Sequence, residues 1–78
     1  MTLVDLLPGQ TGTVRAVQAT HPDDAIARRL GELGFVTGEP VRLVTRGPFG
    51  GDPLLVQVGG TRFALRRAEA ARVAVEAA

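Results

Sequence analysis

No cysteine occurs in the 78 residues, which removes disulfides, thiolate metal ligands and thiol nucleophiles together. Serine is absent as well, so the seven threonines are the remaining hydroxyl nucleophiles, with a single histidine to serve as base. One histidine cannot build a transition-metal centre, which needs three or four nitrogen or sulfur donors. Lysine, asparagine, tyrosine and tryptophan are missing too, and all nine basic residues are arginine. Against eight carboxylates they leave a net charge of +1, too even to announce a polyanionic partner. No apolar run approaches the ~18 residues of a membrane span. The opening segment MTLVDLLPGQ has no positive residue before its leucines and carries Asp5 among them, a poor secretory signal. These absences predict a cytoplasmic protein without catalytic set, cofactor or bound metal, and without direct insertion into a membrane.

What is present reads as one domain over residues 1–78, since a chain this short hides only about 60% of its unfolded surface and has no room for a second core. Its hydrophobic content of 45% is ordinary for a globular chain. A short apolar segment turns at Pro8–Gly9, and residues 11–19 read as a first strand anchored by Val14 and Val17. The three-residue spacing of those valines breaks strict alternation and predicts a bulge.

The period then changes. THPDDAIARRLGELG places Ile26, Leu30 and Leu33 on one helical stripe. Pro22 suits the first helical position, Asp23 and Asp24 favour the positive end of the helix dipole, and Gly34 supplies a left-handed stop. Phe35 is expected to fold back onto the last turn. Four strand signals follow in PVRLVTR, PLLVQV, TRFALR and RVAV, with Gly59–Gly60 as a two-residue hairpin turn and RAEAA as one helical turn. The predicted fold is mostly β: a small five-stranded barrel, closed or nearly so, with one α-helix inserted after the first strand.

The stretch RGPFGGDPLLVQVGG invites reading as a phosphate cradle. Such a loop needs a lysine with an adjacent hydroxyl residue and must open a helix. Here there is no lysine, and Pro53 leads into an alternating strand. The glycines are therefore expected to serve hairpin turns, with Pro53 at the first residue of the strand.

His21, Asp23 and Asp24 could together meet a hard cation, although the helix start accounts for the acids without one. The arginines carry more information. Arg42 and Arg46 fall on one face of their strand, and Arg62 and Arg66 on one face of theirs, so four guanidiniums are placed to share an outer patch. Guanidinium pairs with carboxylate or phosphate at two points. The plain alternative is a solvated face balanced by Glu32, Glu39, Glu69 and Asp52. An RNA partner is weakened by the missing tyrosine, tryptophan and dense basic run, though Phe49 is available to stack. Phe49, between Pro48 and Gly50, has few neighbours to cover it and reads as a loop-tip anchor for a partner.

RLGELGFVTGEPVRLV, followed by GPFGGDPLLVQVGGTRFALRRAEAARVAV, resembles the ferrous iron transport protein A (FeoA) family, and the opening LVDLLPGQTGTV also fits. The helix exit from Arg29 to Gly38, the GDP at Gly51–Pro53 and the ALRRAEA at Ala64–Ala70 carry the likeness. The resemblance implies an SH3-like barrel in the bacterial cytoplasm, accessory to the membrane ferrous iron permease with its GTP-binding domain. It implies action by protein–protein contact, through Arg29, Leu33, Gly34 and Phe35 at the helix and its exit, with Phe49 and Arg66. Two other classes stay open. One is a metal-responsive regulatory domain like the C-terminal SH3-like domain of iron-dependent repressors; the other is a nucleic-acid-binding barrel working through the arginines. Exposed strand edges would also permit weak self-association.

Overall fold

The computed structural model describes residues 1–78 and opens with a short 3-10 turn at Leu3–Asp5. A reciprocal cap fixes that turn: the Thr2 hydroxyl accepts from the Val4 N–H at 3.3 Å, and the Asp5 carboxylate accepts from the Thr2 N–H at 2.8 Å. The turn drives Leu3 and Leu6 fully into the core. The elements that follow are β1 (Thr11–Val17), α1 (Ala25–Leu33), β2 (Pro40–Gly47), β3 (Gly51–Val58), β4 (Thr61–Leu65), α2 (Arg67–Ala70) and β5 (Val73–Ala77).

The strands form one antiparallel sheet in the order β4-β3-β2-β1-β5. The expected bulge in β1 is there, as a register step between Val14 and Ala16 against β5. Of the expected barrel, closed or nearly so, full closure is not seen: β4 and β5 are the two edges, with no ladder joining them. The seam between the edges is bridged by α1. At its start, Asp24 is bonded to Arg72, the residue before β5. At its exit, the Phe35 ring lies 6.3 Å from Phe63 of β4. The sheet thus curls round a single apolar cluster that includes Leu43, Leu54, Val56 and Val73, with Leu30 and Phe35 contributed from α1 and its exit.

The helix begins later than its sequence signals place it. Pro22 and Asp23 belong to the preceding turn, and Asp24 is the N-cap, with extended backbone (φ −85°, ψ 103°). Its carboxylate accepts from the Ile26 and Ala27 N–H groups at 3.0 and 3.2 Å, and this cap outcompetes proline's preference for a first helical position. Only part of the apolar stripe faces inward. Leu30 is buried and Leu33 packs against the core, but Ile26 is 40% exposed. The C-terminal end is as expected: Gly34 is left-handed (φ 114°) and the Phe35 N–H reaches back to the Leu30 carbonyl at 3.1 Å.

Asp24 is 5% exposed and its two oxygens are fully occupied. Besides the cap, it accepts from the Thr20 N–H and the Thr20 hydroxyl, each at 3.0 Å, and from the Arg72 guanidinium. The Thr20 backbone N–H above all, helped by Ala27, the Thr20 hydroxyl and Arg72, holds this carboxyl well below the ordinary carboxylate range; desolvation opposes the shift and loses.

Candidate interaction surface

Between β2 and β3 the chain reverses so tightly that its two arms nearly touch. A Cβ on Gly47 would lie 2.5 Å from the Asp52 carbonyl oxygen, so only glycine fits. Phe49 and Asp52 exchange backbone hydrogen bonds of 3.3 and 3.2 Å, while Gly50 (φ 66°) and Gly51 (φ 91°) turn the chain. The glycine-rich stretch is therefore hairpin, as expected. Pro53 is the third residue of β3, not its first, and follows a cis peptide bond. This geometry leaves Phe49 at the tip, 80% exposed.

Asp52, at the foot of the same hairpin, accepts from the Arg67 N–H at 2.9 Å, and Glu69 accepts from the Arg66 N–H at 2.9 Å. These bonds start α2 and fix the backbone of Arg66 beside the hairpin. A shallow cleft of about 390 Å³ lies between Phe49, Asp52, Pro53 and Arg66. On the other side of Arg66 a groove of about 520 Å³ continues between Ile26 and Arg29 of α1, Ala64 of β4, and Ala68 and Glu69 of α2. Arg29 is paired with Glu69 at 3.6 Å across that groove. Arg66 is the shared wall, so Phe49, Arg66 and Arg29 occupy one continuous face.

The other residues singled out in the sequence are placed differently. Phe35 is buried to 1% exposure, Gly34 is the helix stop, and Leu33 is half-buried against the core. None of the three lines the cleft or the groove.

The expected four-arginine patch does not form. β2 carries an extra residue at Val44, where the register steps from Leu43↔Val56 to Thr45↔Leu55. That bulge reverses the alternation, and Arg46 turns inward from the face that Arg42 occupies. Its guanidinium donates to the carbonyl oxygens of Val4 and Leu6 at 2.9 and 2.6 Å, stapling the opening segment to the sheet. Arg42 and Arg62 remain in one outer row, separated by Gln57, and Arg66 lies beyond the end of β4. A nucleic-acid reading built on four clustered guanidiniums loses its geometric basis.

His21 is exposed, Asp23 pairs with Arg28 at 2.6 Å, and Asp24 is saturated by its own network. No three or more His, Cys, Asp or Glu side chains gather in this chain as a metal ligand set. No helix is long and apolar enough to cross a membrane. Ile26, Ala64 and Ala68 are the surface residues that sequence reasoning missed. Ile26 carries the same helical spacing as the core residues, and the two alanines belong to an alanine-rich stretch without a distinguishing signal.

Residues 1–77 match the FeoA domain family. The chain belongs to that family. FeoA of Stenotrophomonas maltophilia, solved in complex with zinc, is 62% identical over 97% of this chain and 89% of its own, with a TM-score of 0.89. It is described as a prokaryotic SH3 domain protein and a candidate activating factor of bacterial ferrous iron transport. Iron(II) transport protein A from Clostridium thermocellum is 30% identical, covering 99% of this chain and 45% of its own, with a TM-score of 0.86. A manganese-dependent transcriptional repressor solved with manganese shares the fold alone. It is 23% identical over 100% of this chain and 36% of its own, with a TM-score of 0.84. No curated protein matches the chain. The fold of this FeoA protein is SH3-like, and FeoA is not a known class of enzymes.

Proposed function

We propose that this FeoA protein acts in the bacterial cytoplasm by direct contact with the cytosolic, GTP-binding region of the membrane ferrous iron permease. The contact runs through the face formed by Phe49, Arg66 and Arg29. The observation that carries the reading is Phe49: a large aromatic side chain, 80% exposed on a tightly reversed hairpin and set against Arg66. Aromatic and arginine side chains dominate binding energy at protein interfaces, and a rigid loop gives up little entropy when it docks. The description of the S. maltophilia relative as a candidate transport activating factor points the same way. Leu33, Gly34 and Phe35 serve this contact by fixing α1 beside the face, and residues 1–78 work as one module.

Calorimetry with the permease's purified cytosolic domain tests it. Wild-type protein binds, and Phe49→Ala weakens the affinity by about tenfold or more, the range of a truncated aromatic anchor. Arg66→Glu weakens it as well, and both variants keep the wild-type melting temperature. Undetectable association of the wild type, or full affinity in Phe49→Ala, would contradict the proposal.

A further inference from the structure

β4 is an edge strand, and its outer side is unpaired. It reaches β3 through a two-residue turn, Gly59–Gly60, flanked by the pair Val58↔Thr61. In a hairpin of that type the flanking pair is hydrogen-bonded and the pattern alternates, so Thr61, Phe63 and Leu65 bond to β3. Arg62 and Ala64 therefore direct their N–H and C=O groups away from the sheet. None of the backbone bonds made in turns, loops and caps involves either residue. Natural sheets cover or blunt such an edge. Here α1 lies across the seam but leaves the groove open in front of Ala64, with Ile26 on its far wall and Ala68 at its end.

Charge marks what fits this groove. Arg62 and Ala64 share one face of β4, Arg66 follows them, and Arg29 stands opposite on α1. Glu69 is the one acid on the groove wall, and it is already paired with Arg29 while accepting from the Arg66 N–H. An edge of free backbone groups, an apolar wall and a surplus of arginine over acid (Arg29 and Arg66 against Glu69 on the groove wall, with Arg62 further along the same strand) together match an extended segment with acidic side chains. Main-chain hydrogen bonds would supply affinity, and the arginines the choice of partner.

We propose that the free edge of β4 takes up an extended acidic segment of a partner protein as a sixth strand, in the groove between β4 and α1. This deepens the permease-contact reading and rests on it for the partner's identity.

The experiment follows amide hydrogen exchange by NMR in the full chain. It uses two probes: a synthetic peptide of alternating valine and glutamate, with its valine–lysine counterpart as control, and the permease's cytosolic domain. The Arg62 and Ala64 amides are expected to exchange rapidly in the free protein and to become protected by the glutamate peptide and by the domain, but not by the lysine peptide. Ala64→Pro removes an outward donor without touching the β3 ladder. It should weaken both probes about fivefold, the worth of one backbone hydrogen bond. Arg66→Glu gives a second variant that leaves the strand intact, and should abolish the preference for glutamate over lysine.

Domain binding with no protection at Arg62 or Ala64 would overturn strand addition while leaving the permease contact standing. Peptide protection without domain binding would do the reverse. Protection that grows with protein concentration in the absence of any probe would assign the edge to a second copy of this chain and overturn the acidic-segment assignment.

Discussion

Two arginines with identical spacing credentials do opposite work. Arg66 stands exposed between a cleft and a groove, whereas Arg46 is half-buried and donates to the Val4 and Leu6 carbonyls. Removing a donor from two such acceptors leaves them short of partners, at a cost of about 1–3 kcal/mol. Arg46→Met keeps most of the aliphatic packing and loses only the fork. It should lower the melting temperature by several degrees, since about 1 kcal/mol corresponds to roughly 4–8 °C in a chain this small. Affinity for the permease domain should stay unchanged. Thermal melts and calorimetry on the same variant separate the two effects, and lost affinity at full stability would show that Arg46 belongs to the interface after all. Sequence alternation put Arg46 beside Arg42 because alternation assumes an unbroken strand. The extra residue at Val44 is a property of how β2 pairs with β3, and pairing is not written in either strand alone.

Among the elements, α1 shows which boundaries a sequence makes legible. Its exit depends on adjacent residues, with Gly34 adopting positive φ and Phe35 turning back, and local chemistry is enough to place it. Its start is capped locally by Asp24, but that carboxylate also takes a bond from Arg72, 48 residues away in sequence, and no local signal announces that partner. The same long-range bond joins the helix to the strand edge at β5, so Asp24 contributes to closing the seam as well as capping the helix. Because its folded-state pKa is depressed, the stability it contributes is present above the unfolded carboxylate value of about 3.9 and is lost as pH falls through the folded value. Asp24→Asn retains a capping side chain but removes the charge facing Arg72. The variant should melt below the wild type at pH 7, and the gap should narrow as pH falls below about 4. A gap that is constant from pH 7 to pH 2 would mean that the charge on Asp24 is irrelevant to folding.

At the scale of the molecule, the strand count, the inserted helix and the exposed loop-tip phenylalanine were legible in periodicity and turn chemistry. Closure was not. Whether the two outermost strands of a curled sheet meet depends on the bulges that bend it, and here β4 and β5 stay apart, so the fifth pairing that would close the ring is not made. That open seam is also why the candidate face took shape only in three dimensions. Phe49 comes from one hairpin, Arg29 from the helix and Arg66 from the start of α2, and no spacing rule brings them together.

That face carries the proposed permease contact. Its most direct test is cross-saturation NMR on the isotope-labelled chain bound to the permease's cytosolic domain, which reports the protons lying against the partner. Saturation should spread through Phe49, Arg66, Ile26 and Arg29, leaving the outer row of Arg42 and Gln57 and the exposed Leu7 unaffected. Saturation centred on that outer row, with Phe49 silent, would contradict it.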